Sequence, residues 1–535
     1  MQRDMQQDSA TNHVSKASSA RLSPGDPFQR LPPEIMIQIW SNINVLDLLR
    51  SCVMVSRTWR DQLLQCGYLW TKVTVHQEDH LSPIALSTVS DHVQRLRLFY
   101  LSSRWLTGFH TKIMQGSFAS ITHLTIMLGG QEHMEKQLLV QMFEKLGCTL
   151  KSLYCQTLQN FPDLAVVTRT CPFLHSLVYK NSHGLFNLDA LEPYPGELRS
   201  LTIENHCIDD IERDQLISIV SNLGRHLQAL SVFPCGEECI SDVQRYCPDI
   251  HTIVWNCGYP TLDGIHGCEM ILPPPPSTKG LRHLSIAPHH IDLVVALMTR
   301  YKDTLETLHL TLVLLRSCDQ LERLKDVVMK RLDSMSIRWV RDRDAGTRIA
   351  AAILDTCQES LRVLSLEKLH MKPLTRHLCN LRTLKSLRLD SIVLHEYMAI
   401  YWDRLCSIDN NKKVTLISLE FRNVDITDRD LMLLARIGTL KDFTLSFTDD
   451  HDLSFTDHAV QQFFNETRSA LRNVVLDFTP MSWSALDIMA RIPSLRRVTL
   501  SKHVPIDSVH TFRNRYPRLR VEGMKEKERD IYAFC

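Results

Sequence analysis

The side chains best suited to chemistry form a cluster of thiols and one imidazole near the middle of the chain. Its members are Cys235, Cys239, Cys247, Cys257, His266 and Cys268. Thiolate sulfur and imidazole nitrogen are the ligands that zinc prefers in proteins, so a zinc site is one interpretation. Most zinc folds, however, place cysteines in pairs separated by two residues, and this cluster lacks such pairs. The spacing therefore favours reduced structural thiols, and we predict no bound metal.

Two other segments have compositions that metal ions or peptide-binding domains use. Residues 449–452 (DDHD) are acidic, but they lack the glycine and the final glutamate of a calcium loop, which favours a solvated insertion. Residues 273–276 are four prolines, which we interpret as a stiff loop. A polyproline ligand is the alternative for this segment, although a basic residue, Lys279, flanks only one side.

The sequence contains no motif that supports catalysis. No glycine-rich phosphate loop, nucleophile elbow or pair of catalytic carboxylates occurs where a strand would lead into a helix. Lys and Arg number 61 against 60 Asp and Glu, so the net charge of +1 gives no overall field that would attract nucleic acid. We therefore predict that the chain is not an enzyme, needs no cofactor and does not bind nucleic acid.

Signals for secretion or membrane insertion are also missing. Residues 1–27 are polar and lack the apolar core of a signal peptide, and apolar runs such as LVVALM are too short to span a bilayer. The 16 cysteines are dilute for a chain of 535 residues. We expect a cytoplasmic or nuclear protein with reduced thiols and no membrane partner.

The elements that would position a binding site come from a recurring apolar pattern. Each copy has an apolar anchor, two variable residues, a second anchor, one variable residue and a third anchor. The copies lie about 27 residues apart and begin at Val93, Ile121, Leu150, Leu174, Leu198, Leu227, Ile250, Leu281, Leu305, Leu332, Leu361, Leu384, Leu416, Leu440, Leu471 and Leu495. Helical patterns, such as residues 428–437, lie between the copies. This regularity predicts an array of strand–helix units.

A single unit of this kind is too small to bury its own apolar side, so neighbouring units must stack around one core. We therefore predict an α/β solenoid whose parallel strands line the concave face, starting at residues 93–98 and closing at residues 519–521. The copy at Leu332 matches the pattern least well, and we interpret the sequence RWVRDRDAG that follows it as a candidate insertion.

A separate helical module is expected before the repeats. Apolar residues four apart predict a first helix, with Pro32 and Pro33 suited to its first turn; they are Leu31, Ile35, Ile39 and Ile43. Asp47 is placed to cap a second short helix, and Ser56 is placed to cap a third. The stretch therefore predicts three short helices.

This stretch resembles an F-box along its whole length. The matching residues are Leu31, Pro32, Glu34, Ile35, Ile39, residues 47–49, Val55, Arg57, Trp59, Leu69 and Trp70, and the departures are Trp40 and Ile43. The resemblance implies a non-catalytic chain that docks a Skp-family adaptor and, through it, a cullin–RING scaffold. The adaptor-binding residues that it implies are Leu31, Pro32, Ile35, Ile39, Leu48, Val55 and Trp59. A helical cap on the repeat array is the alternative interpretation.

Several repeat units resemble the cysteine-containing leucine-rich repeats that are common behind F-boxes. Cys171 and Cys247 each begin a Cys-Pro step before a strand, Cys235 takes the position that bonds the turn, and residues 426–428 fit the turn before a helix. The resemblance implies the substrate-recognition subunit of an SCF-type ubiquitin ligase, whose repeats capture a protein substrate. The alternative is a scaffold that acts outside degradation.

The predicted organisation has five segments. They are a leader at residues 1–27, an F-box at 28–75, a linker at 76–92, the leucine-rich-repeat solenoid at 93–522 and a polar tail at 523–535.

Residues that face a substrate are expected at the third, fifth and seventh positions of each unit, because these side chains alternate with the buried anchors. The candidates are Arg97, Phe99 and Tyr154 on early units and Glu367, Arg388, Asp390, Glu420 and Arg422 on late units. We expect Arg388 to lie near Glu367 and Glu420, so a structural lattice of charges is the alternative to a binding site.

The second repeat position is basic in half of the copies. These residues are Lys151, Arg199, Arg282, Arg362, Lys385, Lys441, Arg472 and Arg496. A ladder of this sort is more often a solvated edge, and contact with an acidic or phosphorylated partner is the alternative.

Overall fold

The computed structural model describes residues 31–79, 81–128, 136–157, 162–181, 191–205, 211–236, 239–256, 280–288, 290–312, 319–339, 343–392, 397–406, 415–448, 454–467, 470–477, 482–501 and 506–523. Within these residues the chain forms one parallel sheet of 18 strands, preceded by a small helical module. Each strand pairs with the next strand in sequence, so the strand order along the sheet is the chain order.

The strands are short and similar in length. They are β1 (Lys72–His76), β2 (Arg95–Phe99), β3 (His123–Met127), β4 (Ser152–Thr157), β5 (Ser176–Asn181), β6 (Ser200–Asn205), β7 (Ala229–Phe233), β8 (Thr252–Asn256), β9 (His283–Ala287), β10 (Thr307–Leu312), β11 (Ser334–Trp339), β12 (Val363–Glu367), β13 (Ser386–Asp390), β14 (Ser418–Arg422), β15 (Asp442–Ser446), β16 (Asn473–Asp477), β17 (Arg497–Leu500) and β18 (Arg520–Gly523).

Helices occupy the module and most connections between strands. The module holds α1 (Pro33–Ser41), α2 (Val45–Asp47), α3 (Val53–Val55) and α4 (Arg57–Gln65). The connections hold α5 (Pro83–Ser87), α6 (Ser103–Met114), α7 (Lys136–Leu146), α8 (Leu164–Thr170), α9 (Arg213–Leu223), α10 (Ile240–Tyr246), α11 (Ile291–Tyr301), α12 (Arg343–Thr356), α13 (Met371–Asn380), α14 (Tyr397–Cys406), α15 (Asp428–Leu434), α16 (Asp457–Glu466), α17 (Trp483–Ala490) and α18 (Ile506–Arg515).

Buried anchors explain why the strands form where they do. In β12, Leu364 and Leu366 are both 0% exposed, while Val363 and Ser365 face the opposite side of the sheet. The first anchor of every copy in the sequence pattern is buried, and a strand begins two residues after each of them. The predicted α/β solenoid of strand–helix units is therefore confirmed.

The sheet begins one strand earlier than the pattern does. β1 pairs with β2 in full register, from Lys72 opposite Arg95 to His76 opposite Phe99. The buried residues Trp70, Val73 and Val75 repeat the anchor spacing of the later units. Trp70 is also the last residue of the F-box motif. From sequence it is therefore assigned to the helical module, and β1 is not predicted.

The copy at Leu332 is a regular unit. Of the candidate insertion that follows it, residues 338 and 339 complete β11, residues 343–346 begin α12, and residues 340–342 lie outside the described residues. β11 pairs with both β10 and β12, and Met335 and Ile337 are buried as anchors. The 14-residue helix α12 follows it. Arg343 and Asp344 lie at exposed positions at the start of this helix, where charged side chains are tolerated.

The module has the three predicted helical segments, because a π-helical turn at Leu48–Cys52 joins α2 and α3 into one. The Ser56 hydroxyl caps α4, as predicted, by accepting a backbone hydrogen bond at 3.1 Å. The predicted cap at Asp47 is wrong. The second segment already begins at Val45, where the Asn44 side chain caps it, so Asp47 lies inside the helix.

In the last units, hydrogen bonds link the N-terminal cap of each helix to the first residue of the helix before it. Thr427, Thr456 and Ser482 cap α15, α16 and α17 by accepting hydrogen bonds from backbone N–H groups. Asp428 and Asp457, the first residues of α15 and α16, accept hydrogen bonds from the backbone N–H of the next capping residue at 2.7 and 3.1 Å. The start of one helix therefore fixes the start of the next.

This arrangement predicts a pH-dependent contribution of Asp457 to stability. Burial alone would raise the pKa of the Asp457 carboxyl, but hydrogen bonds from Ser482 and Gln461 outweigh it and lower that pKa below its ordinary value. A carboxyl whose pKa is lowered by folding stabilises the fold above its unfolded-state pKa of about 4, and this contribution is lost as the pH falls through the folded-state pKa.

We expect Asp457→Asn to lower the free energy of unfolding by about 1 kcal/mol at roughly pH 7, and by less at roughly pH 3. Urea unfolding at both pH values measures the difference. Glu466→Gln, at an exposed position of the same helix, is the control. An equal loss at both pH values would contradict the prediction.

Candidate functional site

Exposed apolar side chains occur at two places in the helical module. At the start of α1, Pro32 is exposed and Ile35 keeps 40% of its surface accessible. At the end of α3, Val55 keeps 60% and its neighbour Met54 keeps 70%. Sequence reasoning missed Met54, because the F-box motif does not single it out. Large apolar side chains left this open to water in a small module favour a contact surface for another protein.

The other predicted adaptor-binding residues lie deeper. Leu31, Ile39 and Trp59 are half-buried, and Leu48 is 1% exposed. Leu48 therefore belongs to the core of the module and can affect a bound partner only by shaping the surface around it. Leu31 is half-buried and packs against the same core, so it can both support the module and contribute to a contact surface.

The module and the solenoid share one hydrophobic core. Trp70 is 0% exposed, and its Nε1 donates a hydrogen bond of 2.8 Å to the Leu63 carbonyl in α4. The Thr71 carbonyl accepts a hydrogen bond of 2.8 Å from the backbone N–H of Arg95 in β2. Gly67 lies so close to the next unit that an added Cβ would come within 2.7 Å of the His92 ring. These contacts fix the module onto the first strand.

The early candidate residues include two aromatic side chains, Phe99 and Tyr154, that already contact neighbouring side chains. The Phe99 ring stacks on His76 with centroids 4.8 Å apart. The Lys180 ammonium lies 6.0 Å from the centre of the Tyr154 ring, and the Tyr154 hydroxyl donates a hydrogen bond to Gln156. Burial raises the pKa of the Tyr154 hydroxyl, so it stays a neutral donor.

Arg97 is an exposed cation of β2, as is Arg95 two residues before it. It lies on β2 in register with Thr125 of β3, and Thr125 is in turn in register with Tyr154 of β4. The structure therefore brings Arg97 and Tyr154 into one row of the sheet, with β3 between their strands, and Phe99 lies two residues further along β2.

The late candidate residues form ion pairs both within a strand and between neighbouring strands. Glu420 contacts Arg388 at 3.8 Å and Arg422 at 2.5 Å, and Arg388 also lies 3.5 Å from Asp390. The expected contact of Arg388 with Glu420 is confirmed. Within the described residues Glu367 pairs with Arg338 at 3.0 Å rather than with Arg388, although Arg388 lies near enough to act against the rise in the pKa of the Glu367 carboxyl.

Register explains this difference. β12 and β13 align Arg388 with Ser365, and they align Glu367 with Asp390. Burial raises the pKa of the Glu367 carboxyl, and the neighbouring Asp390 adds to the rise while Arg338 opposes it. The late strands therefore carry a network of charges in which several members already have partners.

The described cysteines of the central cluster behave as structural thiols. Cys235 lies buried beside the bridge to Ile211, and its Sγ donates to the Ile211 carbonyl at 3.6 Å. Cys171 and Cys247 follow α8 and α10 at equivalent places, and burial raises the pKa of each to about 12. Within the described ranges, no group of three or more side chains could hold a metal ion.

Several sequence predictions fall outside the described residues. They are the cluster members Cys257, His266 and Cys268, the prolines at 273–276 with Lys279, and the acidic residues 449–452. None of the helices in the described ranges is both long and apolar enough to cross a membrane.

The burial of the thiols predicts selective alkylation. A thiol reacts as its thiolate, so Cys171 and Cys247, with a pKa of about 12, should react slowly, whereas Cys148 is exposed. We expect N-ethylmaleimide to modify Cys148 at least about tenfold faster in the folded chain. Peptide mass spectrometry measures the rates, and labelling in urea is the control that should equalise them. Equal rates in the folded chain would count against this description.

Comparison with known families identifies residues 28–76 with the family model described as F-box-like. No curated protein matches the sequence at a significant level. Among solved structures, the crystal structure of the Rad7 and Elc1 complex in yeast is similar, with a TM-score of 0.35 and 14% sequence identity over 80% of this chain and 93% of the matched chain. Residues 28–76 are therefore an F-box-like domain, which stands in front of an α/β solenoid.

Proposed function

We propose that this chain is the substrate-recognition subunit of an SCF-type ubiquitin ligase. The observation that carries the proposal is the F-box-like match at residues 28–76, together with the exposed apolar side chains of Ile35 and Val55 in that segment. In this role the F-box-like domain docks a Skp-family adaptor, which connects the chain to a cullin–RING scaffold. The proposed contact residues are those that the sequence predicts, with Leu48 acting from the core.

The proposed contribution of the chain is proximity. Ubiquitin transfer takes place on other subunits, and the chain brings lysines of a captured protein near them, which raises their effective concentration. A rigid connection serves this role better than a flexible one, because a fixed orientation limits the positions that the bound protein can sample. The buried Trp70 and the backbone pairing of Thr71 with β2 supply such a connection.

The solenoid is proposed to consist of cysteine-containing leucine-rich repeats that bind the substrate. Support comes from the equivalent buried positions of Cys171 and Cys247 and from the turn that Cys235 bonds. The proposal includes a cytoplasmic or nuclear location and a leader that ends at residue 27. Two predicted boundaries change, because the solenoid begins at β1 rather than at residue 93 and the tail begins after Gly523, the last residue of β18.

The proposed substrate contacts divide into an early and a late pair. We expect Phe99→Ala with Tyr154→Ala, and separately Arg388→Glu with Arg422→Glu, to weaken capture of the substrate by about tenfold or more. Affinity capture followed by quantitative mass spectrometry measures the effect, and undiminished adaptor binding by each variant is the control. Indifference to one pair of substitutions removes those strands from the substrate site.

The experiment that tests the proposal is affinity capture of the full chain with the proteasome inhibited. The expected result is co-purification of a Skp-family adaptor and a cullin, together with proteins that accumulate only under inhibition. Capture of the adaptor without any inhibitor-dependent protein would favour the alternative, a scaffold that acts outside degradation. Absence of the adaptor would overturn both.

A further inference from the structure

The charges at the starts of the strands differ between the middle and the end of the solenoid. In the middle, basic residues of the second repeat position pair with acids at the same position of neighbouring units. Arg362 lies 3.4 Å from Asp333, and Arg282 lies 4.0 Å from Glu306. The positive charges of this stretch are therefore balanced along the ladder itself.

The last four strands lack this balance. Lys441, Arg472 and Arg496 occupy the second position of three consecutive units, and Arg497 lies directly opposite Arg520 in the register of β17 and β18. We call these five residues the terminal basic patch. All four arginines are exposed, and Lys441 is half-buried. Among the described residues the patch has one ion pair, between Arg520 and Glu522 at 2.5 Å.

Backbone hydrogen bonds hold the patch in a fixed row. The N–H of Arg472 donates to the Lys441 carbonyl at 2.7 Å, the N–H of Arg496 donates to the Arg472 carbonyl at 2.9 Å, and the N–H of Arg520 donates to the Arg496 carbonyl at 2.9 Å. Strands of one sheet lie about 4.8 Å apart, so the row is roughly 14 Å long. An extended peptide covers this distance with about four or five residues.

We propose that the terminal basic patch binds an extended acidic segment of the captured protein, with carboxylate or phosphate side chains. The inference rests on the proposed function, because it names the chemistry of the substrate. Arginine side chains can bind such groups through two parallel hydrogen bonds, and a row of them selects for several anionic groups in sequence. Like charges held this close repel one another, and an anionic partner relieves that repulsion.

A peptide fits the patch better than nucleic acid does. The chain as a whole carries a net charge of only +1, so it lacks the long-range field that concentrates nucleic acid. Two carboxylates, Asp442 and Glu522, lie on the strands of the patch and would repel a continuous phosphate backbone. In an extended peptide, successive side chains point to opposite sides, so a peptide can turn alternate carboxylates away from these two residues.

The test is fluorescence anisotropy with the purified full chain and labelled octaglutamate, with octaglutamine and a short oligothymidylate for comparison. We expect octaglutamate to bind with an affinity that falls as salt rises, and octaglutamine not to bind. Arg472→Gln with Arg496→Gln should weaken binding of octaglutamate by about tenfold or more. The matched control, Arg282→Gln with Arg362→Gln, changes the same repeat position where acids already balance the charge, and should change binding less than about twofold.

Equal losses in the two double variants, or no binding of octaglutamate to the unmodified chain, would overturn the inference. Tighter binding of oligothymidylate than of octaglutamate would overturn it in favour of nucleic acid. Circular dichroism of each variant establishes that it is folded. Adaptor binding is measured in parallel: its absence from the unmodified chain contradicts the proposed function, whereas its presence together with failure of the peptide assay contradicts the patch alone.

Discussion

Replacing Ile35 and Val55 together by aspartate is expected to abolish binding of a Skp-family adaptor while the solenoid stays folded. Both side chains are already exposed, at 40% and 60%, so the substitutions do not open a cavity in the core. In a complex each carboxylate would be buried against an apolar partner without a counter-charge, which is costly. We expect affinity to fall by more than about a hundredfold, measured by biolayer interferometry with the purified adaptor.

A matched control is available on the solenoid. Ile400 in α14 is 62% exposed, and Ile400→Asp adds the same charge far along the chain from the F-box-like domain. This variant should bind the adaptor as the unmodified chain does. A second test, Leu31→Ala with Pro32→Ala, removes apolar surface without adding charge and should weaken binding in the same direction. Full adaptor binding by both module variants would contradict the proposed role of this domain.

The regular part of the fold could be predicted from sequence because it repeats one physical requirement. Every unit must bury its three anchors, so the spacing of those anchors marks every strand from β2 to β17. The errors arose where one residue serves two purposes or where charges interrupt the pattern. Because Trp70 belongs to the F-box motif, the repeat pattern does not reveal β1. The charged residues at the start of α12 make the segment after β11 resemble an insertion.

The candidate sites were less predictable, because they depend on which side of an element faces out. The resemblance to an F-box implies Leu48 and Val55 equally, but the fold buries the first and exposes the second. The ion-pair partner of Arg388 depends on the register between strands. This register follows from the repeat numbering, because parallel strands align residues at equal repeat positions. Arg388 and Glu420 both occupy the fifth position of their units, whereas Glu367 occupies the seventh, so parallel strands align it with Asp390.

Trp70→Ala is expected to have the largest effect on stability. The Trp70 side chain is 0% exposed and its indole N–H donates to the Leu63 carbonyl, so the substitution removes an anchor of the first strand and a hydrogen bond to α4 together. Truncation of a buried tryptophan costs about 3–5 kcal/mol. In a solenoid, stability is set by neighbouring interfaces, so we expect the first unit and the F-box-like domain to unfold before the rest of the sheet.

Denaturant unfolding combined with hydrogen exchange measures this expectation. In Trp70→Ala, amides of β1 and α4 should lose protection while those of β12 and β13 keep it, and adaptor binding should weaken although no contact residue has changed. Trp70→Phe keeps most of the apolar volume and should cost less, since it loses mainly the hydrogen bond. Trp483→Ala, at a tryptophan that is 45% exposed on α17, is the matched control and should leave β1 protected.

One outcome would contradict the expectation. If Trp70→Ala leaves β1 and α4 as protected as in the unmodified chain, the F-box-like domain and the solenoid do not depend on each other through this residue. The rigid connection proposed for substrate presentation must then come from other contacts.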